Sequence, residues 1–174
     1  MEALNEKTET QKQNIDRQTF GELYSLHQKD LYRYAFFYLK NSEDAEDAVQ
    51  ETAMAAYRGI GGLKDSSKFK SWIFTILVRN CRHRIPDIMR MRSRVDLSDS
   101  YDFSSGDQSE EMLSAIALRD EIDCLKDKER RMLLLSVIGG YKSEEIAKIM
   151  GMRSGTVRSI LSRTVAKLRV KLSD

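Results

Sequence analysis

Residues 143–171 carry the pattern that most constrains the fold of this chain. Glu144 and Glu145 suit the first turn of a helix, where the positive end of the helix dipole favours acids, and Ser143 can cap that helix. Gly151 follows the last apolar residue, where helices often end in a left-handed residue. A second helical apolar stripe follows and consists of Val157, Leu161, Val165 and Leu168. The pattern predicts two short helices joined by a tight turn.

The second predicted helix is basic on its polar side. From Arg153 to Lys171 the charged residues are all Lys or Arg, and small hydroxyl side chains lie between them. Arginine can bind phosphate or a guanine edge, and small hydroxyls allow close approach. A solvated face is the commoner origin of a basic run. The acidic first helix, the turn glycine and the basic second helix together favour a DNA-binding helix-turn-helix.

The same stretch resembles region 4 of a bacterial RNA polymerase sigma factor, in the extracytoplasmic-function (ECF) group. The resemblance rests on residues 143–147, 150–151, 155–159 and 167–169. Two positions depart from the usual pattern of that group: Arg153 often aligns with Pro or Ser, and Ile160 with a basic residue. The resemblance implies that the second helix reads the minus-thirty-five promoter element through Arg153, Ser154, Thr156, Arg158, Ser159, Ser162 and Arg163.

The composition is that of a soluble globular protein. The 174 residues are 41% hydrophobic and 32% charged, which suits two small domains or one of medium size. There is no apolar run long enough to span a bilayer and no signal peptide, so we expect a cytoplasmic protein that is not itself a membrane protein. Cys81 and Cys124 lack the spacing of paired ligands and are expected to be free thiols. We expect no metal and no cofactor.

Two amphipathic helices are predicted in the N-terminal half. Residues 20–39 carry aromatic and aliphatic residues at helical spacing. Asn41 or Ser42 can cap a second helix, whose first turn holds the acids Glu43 and Asp44. The buried stripe of this second helix is predicted to be Ala45, Ala48, Val49, Thr52, Ala53 and Ala56.

The outer face of this second helix is acidic. Solvation is the simplest explanation, and docking of a basic partner is the alternative. Residues 44–52 resemble sigma region 2.2 closely. The resemblance implies that Asp44, Asp47, Gln50 and Glu51 bind the clamp helices of the polymerase beta-prime subunit.

Residues 69–80 predict a strongly apolar helix that follows a break at residues 59–62 and a polar loop. Trp72, Ile73, Ile76 and Leu77 are expected in the core. The segment resembles sigma regions 2.3 and 2.4, which implies a pocket framed by residues 61–68 in which Asn80 contacts an unstacked base of the minus-ten element. The implied minus-ten DNA-binding residues are Lys68, Lys70, Trp72, Arg79, Asn80, Arg82 and Arg84. Pro86 leaves the end of this helix open.

The predicted organisation is all-α, with two small helical domains joined by a flexible linker. Residues 1–17 form a flexible tail, and residues 18–92 form sigma region 2. Residues 93–111, rich in Ser, Asp and Gly, form an acidic linker. Residues 112–174 form sigma region 4, with further helices expected over 112–125 and 127–138, the latter carrying Met132, Leu133, Leu135 and Val137.

The resemblance implies a non-enzymatic sigma factor. Its expected partners are core RNA polymerase, through the beta-prime clamp helices and the beta flap, and promoter DNA. An anti-sigma factor is also expected, and in this group it is often membrane-anchored. The alternative is a stand-alone helix-turn-helix regulator that dimerises on a palindrome, which leaves the acidic helix and the Trp72 segment unexplained. An enzyme ranks third, because His27 and His83 stand alone and no nucleotide-binding glycine loop is present.

Overall fold

The computed structural model describes the backbone of residues 17–92 and 119–173. These described residues form helices and turns without a strand, which confirms the all-α prediction. The predicted linker, nearly all of the predicted tail and the start of the helix expected over 112–125 lie outside them. The helices are α1 (Arg17–Leu39), α2 (Ser42–Gly59), α3 (Phe69–Arg92), α4 (Asp127–Val137), α5 (Ser143–Met150) and α6 (Ser154–Ser173). Residues 119–123 are also helical and precede α4.

A short connection turns the chain back from α1 into α2. α1 ends at Leu39, and Lys40 takes the left-handed conformation with φ 66°, its N–H donating to the Phe36 carbonyl at 2.9 Å. Asn41 then caps α2, because its side-chain oxygen accepts the Asp44 N–H at 2.9 Å. Of the two predicted caps, Asn41 is the one the structure uses.

Small residues on α2 let the first three helices pack closely. Ala45, Ala48 and Ala56 are fully buried, and so are Ile73 and Leu77 of α3. Trp72 and Ile76 are only half-buried at the edge of this core. α3 continues through Pro86 to Arg92, so the proline does not end the helix. Proline removes one backbone hydrogen bond, and the helix here tolerates that loss.

α5 and α6 form the predicted helix-turn-helix. Gly151 adopts the left-handed conformation (φ 65°, ψ 40°) at the end of α5, as predicted. The N-cap of α5 is Lys142 and not Ser143: the Glu145 carboxylate accepts the Lys142 N–H at 2.8 Å, and the helix begins one residue earlier than predicted.

The apolar residues that the sequence assigns to α4 are not all buried. Val137 is 72% exposed at the end of the helix, whereas Leu134 is 2% exposed. α4 is short, and its contacts with α1, α5 and α6 bury residues 131–135. Val137 lies beyond this buried stretch.

The two helical units share one apolar core. Tyr141, in the turn between α4 and α5, is 6% exposed, and its ring meets Phe74 of α3 edge-on at a centroid distance of 5.4 Å. Lys70 of α3 spans the same junction: its Nζ donates to the Gly139 carbonyl at 2.6 Å and lies 5.2 Å from the centre of the Tyr141 ring. This turn therefore docks the second unit onto the first.

Polar contacts close the other side of the junction. The Tyr38 hydroxyl on α1 donates to Asp127 Oδ1 at 2.5 Å, and Arg131 binds the other oxygen of the same carboxylate at 2.6 Å. Burial and this carboxylate raise the pKa of Tyr38, so its phenol keeps the proton that it donates. Lys40 pairs with Asp123 at 3.1 Å.

The turn that docks the second unit is packed so closely that a methyl group added at Gly139 is predicted to destabilise the fold. A Cβ at Gly139 would lie 2.5 Å from the Tyr141 ring and 2.7 Å from the Leu135 carbonyl oxygen. We expect Gly139→Ala to lower the free energy of unfolding by about 1–3 kcal/mol, the usual cost of overpacking. The control is Gly21→Ala within α1, where nothing lies within 4 Å. That change should stabilise by about 0.5–1 kcal/mol. If denaturant titrations gave the same change in the free energy of unfolding for both variants, the docking of Tyr141 would be contradicted.

Candidate nucleic-acid and partner-binding surfaces

The polar face of α6 is open to solvent. Its apolar face is held by Val157 and Leu168, both buried, with Leu161 and Val165 half-buried, as the sequence predicted. Thr164 is buried as well and was missed. Six of the predicted minus-thirty-five residues are exposed and Ser154 is half-buried; the exposed set is Arg153, Thr156, Arg158, Ser159, Ser162 and Arg163. The helix therefore presents a continuous basic and hydroxyl-rich surface.

The two central arginines of α6 have different local partners. Arg158 pairs across the helix-turn-helix with Glu144 of α5 at 3.3 Å, and both side chains are about two-thirds exposed. Such a surface pair is worth about 0–1 kcal/mol, so DNA can displace it readily. Among the described residues, Arg163 bonds its own helix alone, with Nε donating to the Ser159 carbonyl at 3.2 Å.

The predicted polymerase-binding residues lie together on α2. Asp47, Gln50 and Glu51 are exposed and Asp44 is half-buried. We call these four residues the acidic face. One cation from α3 lies against it: Arg84 approaches Asp44, Asp47 and Glu51, the last at 2.7 Å. The sequence had assigned Arg84 to minus-ten DNA, and its actual neighbours were missed because they depend on how α3 packs on α2.

Asn80 lies on the same side of α3 as Arg84, one turn earlier. Its Nδ2 donates to the Thr52 hydroxyl of α2 at 3.1 Å, and Thr52 is fully buried. The structure therefore places Asn80 on a helix–helix contact, although the side chain remains half-exposed. Residues 61–68, expected to frame a base pocket with it, form a short 3₁₀ turn at each end.

The other predicted minus-ten residues are spread over three environments. Lys68 is exposed and pairs with Asp65 at 3.6 Å. Lys70 is engaged by the Gly139 turn, as described above. Trp72 is half-buried against Phe69, with a ring-centroid distance of 6.0 Å, and it would contact a Cβ at Gly59.

Arg79 and Arg82 line a cleft between the two helical units. This interdomain cleft has a volume of about 410 Å³ and also receives His83, Arg131 and Lys148. No acidic side chain among the described residues lines it. Residues 79, 82 and 83 share one face of α3, whereas Asn80 and Arg84 share another that faces α2. Arg79 and Arg82 therefore belong to a different surface from Arg84.

Other chemistry within the described ranges is limited. Cys81 is buried, which raises the pKa of its thiol to about 12, and Cys124 is exposed; both are free. Across residues 17–92 and 119–173, no group of three or more His, Cys, Asp or Glu side chains is placed to hold a metal. No helix in this part of the chain is long and apolar enough to cross a membrane.

Comparison with known proteins agrees with this geometry. The sequence model of the family Sigma-70 region 2 matches residues 23–94, and the sequence model of the family Sigma-70, region 4 matches residues 115–168. The chain is 31% identical to the RNA polymerase sigma factor SigV of Bacillus subtilis, over 84% of this chain and 87% of SigV. It is 29% identical to the ECF RNA polymerase sigma factor SigM of Mycobacterium tuberculosis, over 88% of this chain and 76% of SigM.

Two solved structures share the fold. One is the sigma factor RpoE in complex with the anti-sigma factor NepR from Bartonella quintana, with a TM-score of 0.70 and 24% identity over 88% of this chain and 96% of RpoE. The other is CnrH in complex with the cytosolic domain of CnrY, with a TM-score of 0.67 and 23% identity over 91% and 90% of the two chains.

The helix-turn-helix and the matches to sigma regions 2 and 4 define the class: a DNA-binding protein of transcription initiation. The chain belongs to the sigma-factor family of bacterial RNA polymerase, in its ECF group. Its function is promoter-specific initiation of transcription with RNA polymerase. The matched families are those of transcription factors, and none is an enzyme family.

The geometry of α6 predicts distinct roles for its arginines. Arg158 lies near the start of α6, the end that helix-turn-helix proteins bring closest to base edges, and Arg163 lies more than a turn later. Arg158→Ala should relax discrimination at one minus-thirty-five position by about 1–3 kcal/mol. Arg163→Ala should weaken all promoters alike and reduce the salt slope by about one unit.

Transcription from promoters randomised in the minus-thirty-five element, with saturating core polymerase, measures both effects. Lys167→Ala controls for the loss of one exposed cation further along the helix. If Arg163→Ala changes the preferred sequence and Arg158→Ala does not, the two roles are reversed. If neither variant alters use of the element, α6 is not the reader.

Proposed function

We propose that this sigma factor divides its work between two domains, residues 18–92 and 112–174, and that it acts in the cytoplasm without enzymatic activity. The first domain docks on core polymerase through the acidic face and holds minus-ten DNA through the exposed cations of α3. The second reads the minus-thirty-five element through α6. The observation that carries this proposal is the location of the acidic face and the α6 surface on separate helical units.

The acidic face suits a basic, helical partner. Three carboxylates and one amide lie on consecutive turns of one helix, so they present a stripe and not a pocket. Charges that remain exposed steer a partner of opposite sign and fix its register. The beta-prime clamp helices are the partner that the family resemblance implies, and the beta flap is the corresponding partner of the second domain.

In the described structure the two helical units pack against each other, and we call this the closed arrangement. It must open before both promoter elements are bound. The elements are centred about 25 base pairs apart by their names, which corresponds to about 85 Å of duplex at 3.4 Å per pair. In the described structure the two units are much closer than that, since Arg82 of the first unit and Lys148 of the second line the same cleft of about 410 Å³. Residues 93–118 separate the described parts, and a chain of that length spans at most about 86–94 Å when extended. Opening is therefore both required and sterically possible.

The closed arrangement also suggests control by another protein. RpoE and CnrH were both solved bound to a second protein, NepR and the cytosolic domain of CnrY respectively. By analogy, this chain is held inactive by an anti-sigma factor until a stress or envelope signal releases it, and a membrane-anchored partner would hold it at the membrane.

Reversing charge on the acidic face tests the docking proposal. Asp47→Arg combined with Glu51→Arg should leave the fold intact, because exposed substitutions change stability little. The double variant should lose association with core polymerase, since like charges then meet at the interface. Glu22→Arg with Glu43→Arg is the matched control: it changes the net charge equally, at exposed positions outside the acidic face. Normal co-purification of the first variant with polymerase would remove the assignment.

Energy transfer between two dyes tests opening. Cys124 is exposed and Cys81 is buried, so a Ser66→Cys variant offers one reactive thiol in each domain among the described residues. Transfer efficiency should be high in the free protein and fall when core polymerase and promoter DNA bind. The same labelled chain with Asp47→Arg and Glu51→Arg should keep its high efficiency.

Unchanged efficiency in a complex that transcribes would contradict opening. Tight binding of a dimer of the free chain to a palindromic duplex at physiological salt would favour the stand-alone regulator instead.

A further inference from the structure

Arg84 makes the densest set of ion pairs within the described residues. Its Nη1 lies 3.7 Å from Asp44 Oδ1 and 3.4 Å from Asp47 Oδ2, and its Nη2 lies 2.7 Å from Glu51 Oε1. Nε also approaches the second oxygen of Glu51 at 3.4 Å. The hydrogen bond with Glu51 raises the pKa of the guanidinium, so it remains charged.

The arrangement is layered. The Arg84 side chain is 20% exposed, whereas Asp47 and Glu51 are 62% and 49% exposed. The cation therefore lies beneath the acids, and the acids face solvent above it. An ionised carboxylate has about four lone-pair positions, so each acid keeps acceptor capacity for a partner. Arg84 occupies the inner side of the acidic face and leaves its outer side open.

The shape of arginine explains why one residue can hold three acids. Three carboxylates on successive turns of one helix repel each other at this spacing. A planar guanidinium offers five N–H donors in a fixed fork and can bridge acids on either side. A lysine ammonium is a compact point charge on a flexible stem and cannot span the same set with fixed geometry.

The cations expected to bind DNA point elsewhere on the same helix. Arg79 and Arg82 are exposed and line the interdomain cleft, and no ion pair within the described part of the chain engages either. Arg84 shares its side of α3 with Asn80, and that side packs on α2. A phosphate would have to displace three carboxylates to reach Arg84.

We propose that Arg84 is a positioning residue of the polymerase-docking surface, which holds Asp44, Asp47 and Glu51 in the arrangement that core polymerase binds, and that it is not a contact to minus-ten DNA. The inference rests on the proposed role of the acidic face and adds a residue from a different helix to it.

The proposal predicts that a substitution at Arg84 affects the association and dissociation rates of the polymerase complex differently. Arg84→Gln removes a positive charge from beneath the acidic face, so attraction to a basic partner is not weakened and the association rate should not fall. The acids lose their shared anchor and must be ordered on binding, so the dissociation rate should rise by about tenfold. The salt dependence of association should become steeper, because the surface is more acidic.

The experiment measures association and dissociation of the full chain with core polymerase at several salt concentrations. The variants are Arg84→Gln and Arg84→Lys, and Arg84→Lys should give an intermediate dissociation rate. Arg58→Gln is the matched control: it removes an exposed cation from α2 whose side chain donates to the Met54 carbonyl of its own helix and to nothing else in the described part of the chain. Its rates should equal those of the wild type. Thermal unfolding of each variant establishes that the fold is retained.

A second measurement separates docking from DNA contact. At saturating polymerase, transcription from promoters randomised in the minus-ten element should show the wild-type sequence preference for Arg84→Gln, whereas Arg82→Gln should weaken promoter use. A changed minus-ten preference with unchanged polymerase kinetics would overturn the inference and restore Arg84 as a DNA contact. A lower association rate and a higher dissociation rate, together with a large loss of thermal stability, would reduce Arg84 to a structural role.

The charge-reversal variant identifies which proposal fails. If Asp47→Arg with Glu51→Arg binds polymerase normally, the acidic face is not the dock and the proposed function fails at that site. If that variant loses polymerase while Arg84→Gln dissociates at the wild-type rate, the dock stands and the inference about Arg84 alone is wrong.

Discussion

The contact between Phe74 and Tyr141 is the interaction on which the described arrangement of the two helical units depends. Tyr141 occupies the turn that leads into the helix-turn-helix, so its docking on α3 fixes the second unit against the first. Lys70 and the Tyr38–Asp127–Arg131 group close the junction on either side. An aromatic pair is worth only about 0.5–1.5 kcal/mol beyond its buried area. The two units also share one apolar core, so the partners that open the junction must supply the free energy of separating it.

The basic segment of α3 over residues 79–84 contributes to two surfaces, because successive residues of a helix point in different directions. Positions 79, 82 and 83 face the cleft between the units, whereas positions 80 and 84 face α2. Two arginines only two positions apart, Arg82 and Arg84, therefore serve surfaces of opposite charge. The cleft gathers cations without an acid among its described lining, so closure brings like charges together. Arg84 instead meets three carboxylates and stabilises a surface of the opposite sign.

Much of this could be predicted from the sequence because the signals are local. The apolar period of α6, the left-handed Gly151 and the alanine stripe of α2 each depend on residues within a few turns of one another. The errors lie where two local signals compete or where a neighbour decides. Ser143 is a good cap, but the reach of Glu145 to the Lys142 N–H starts the helix one residue earlier. Trp72 was expected in the core, but it lies half-buried at the edge of that core.

The sequence by itself determined the all-helical class, the helix-turn-helix and the two charged surfaces, since periodicity, capping residues and charge are properties of short segments. The family came from the resemblance of three stretches, residues 44–52, 69–80 and 143–169, to sigma regions. Only the tertiary structure decided which cation serves which surface. Arg82 and Arg84 are the same residue type two positions apart, and their environments differ because α3 packs on α2 along one face and borders the cleft along another. The docking of Tyr141 on Phe74 was likewise decided by packing, because the two rings lie far apart in the chain and no local pattern links them.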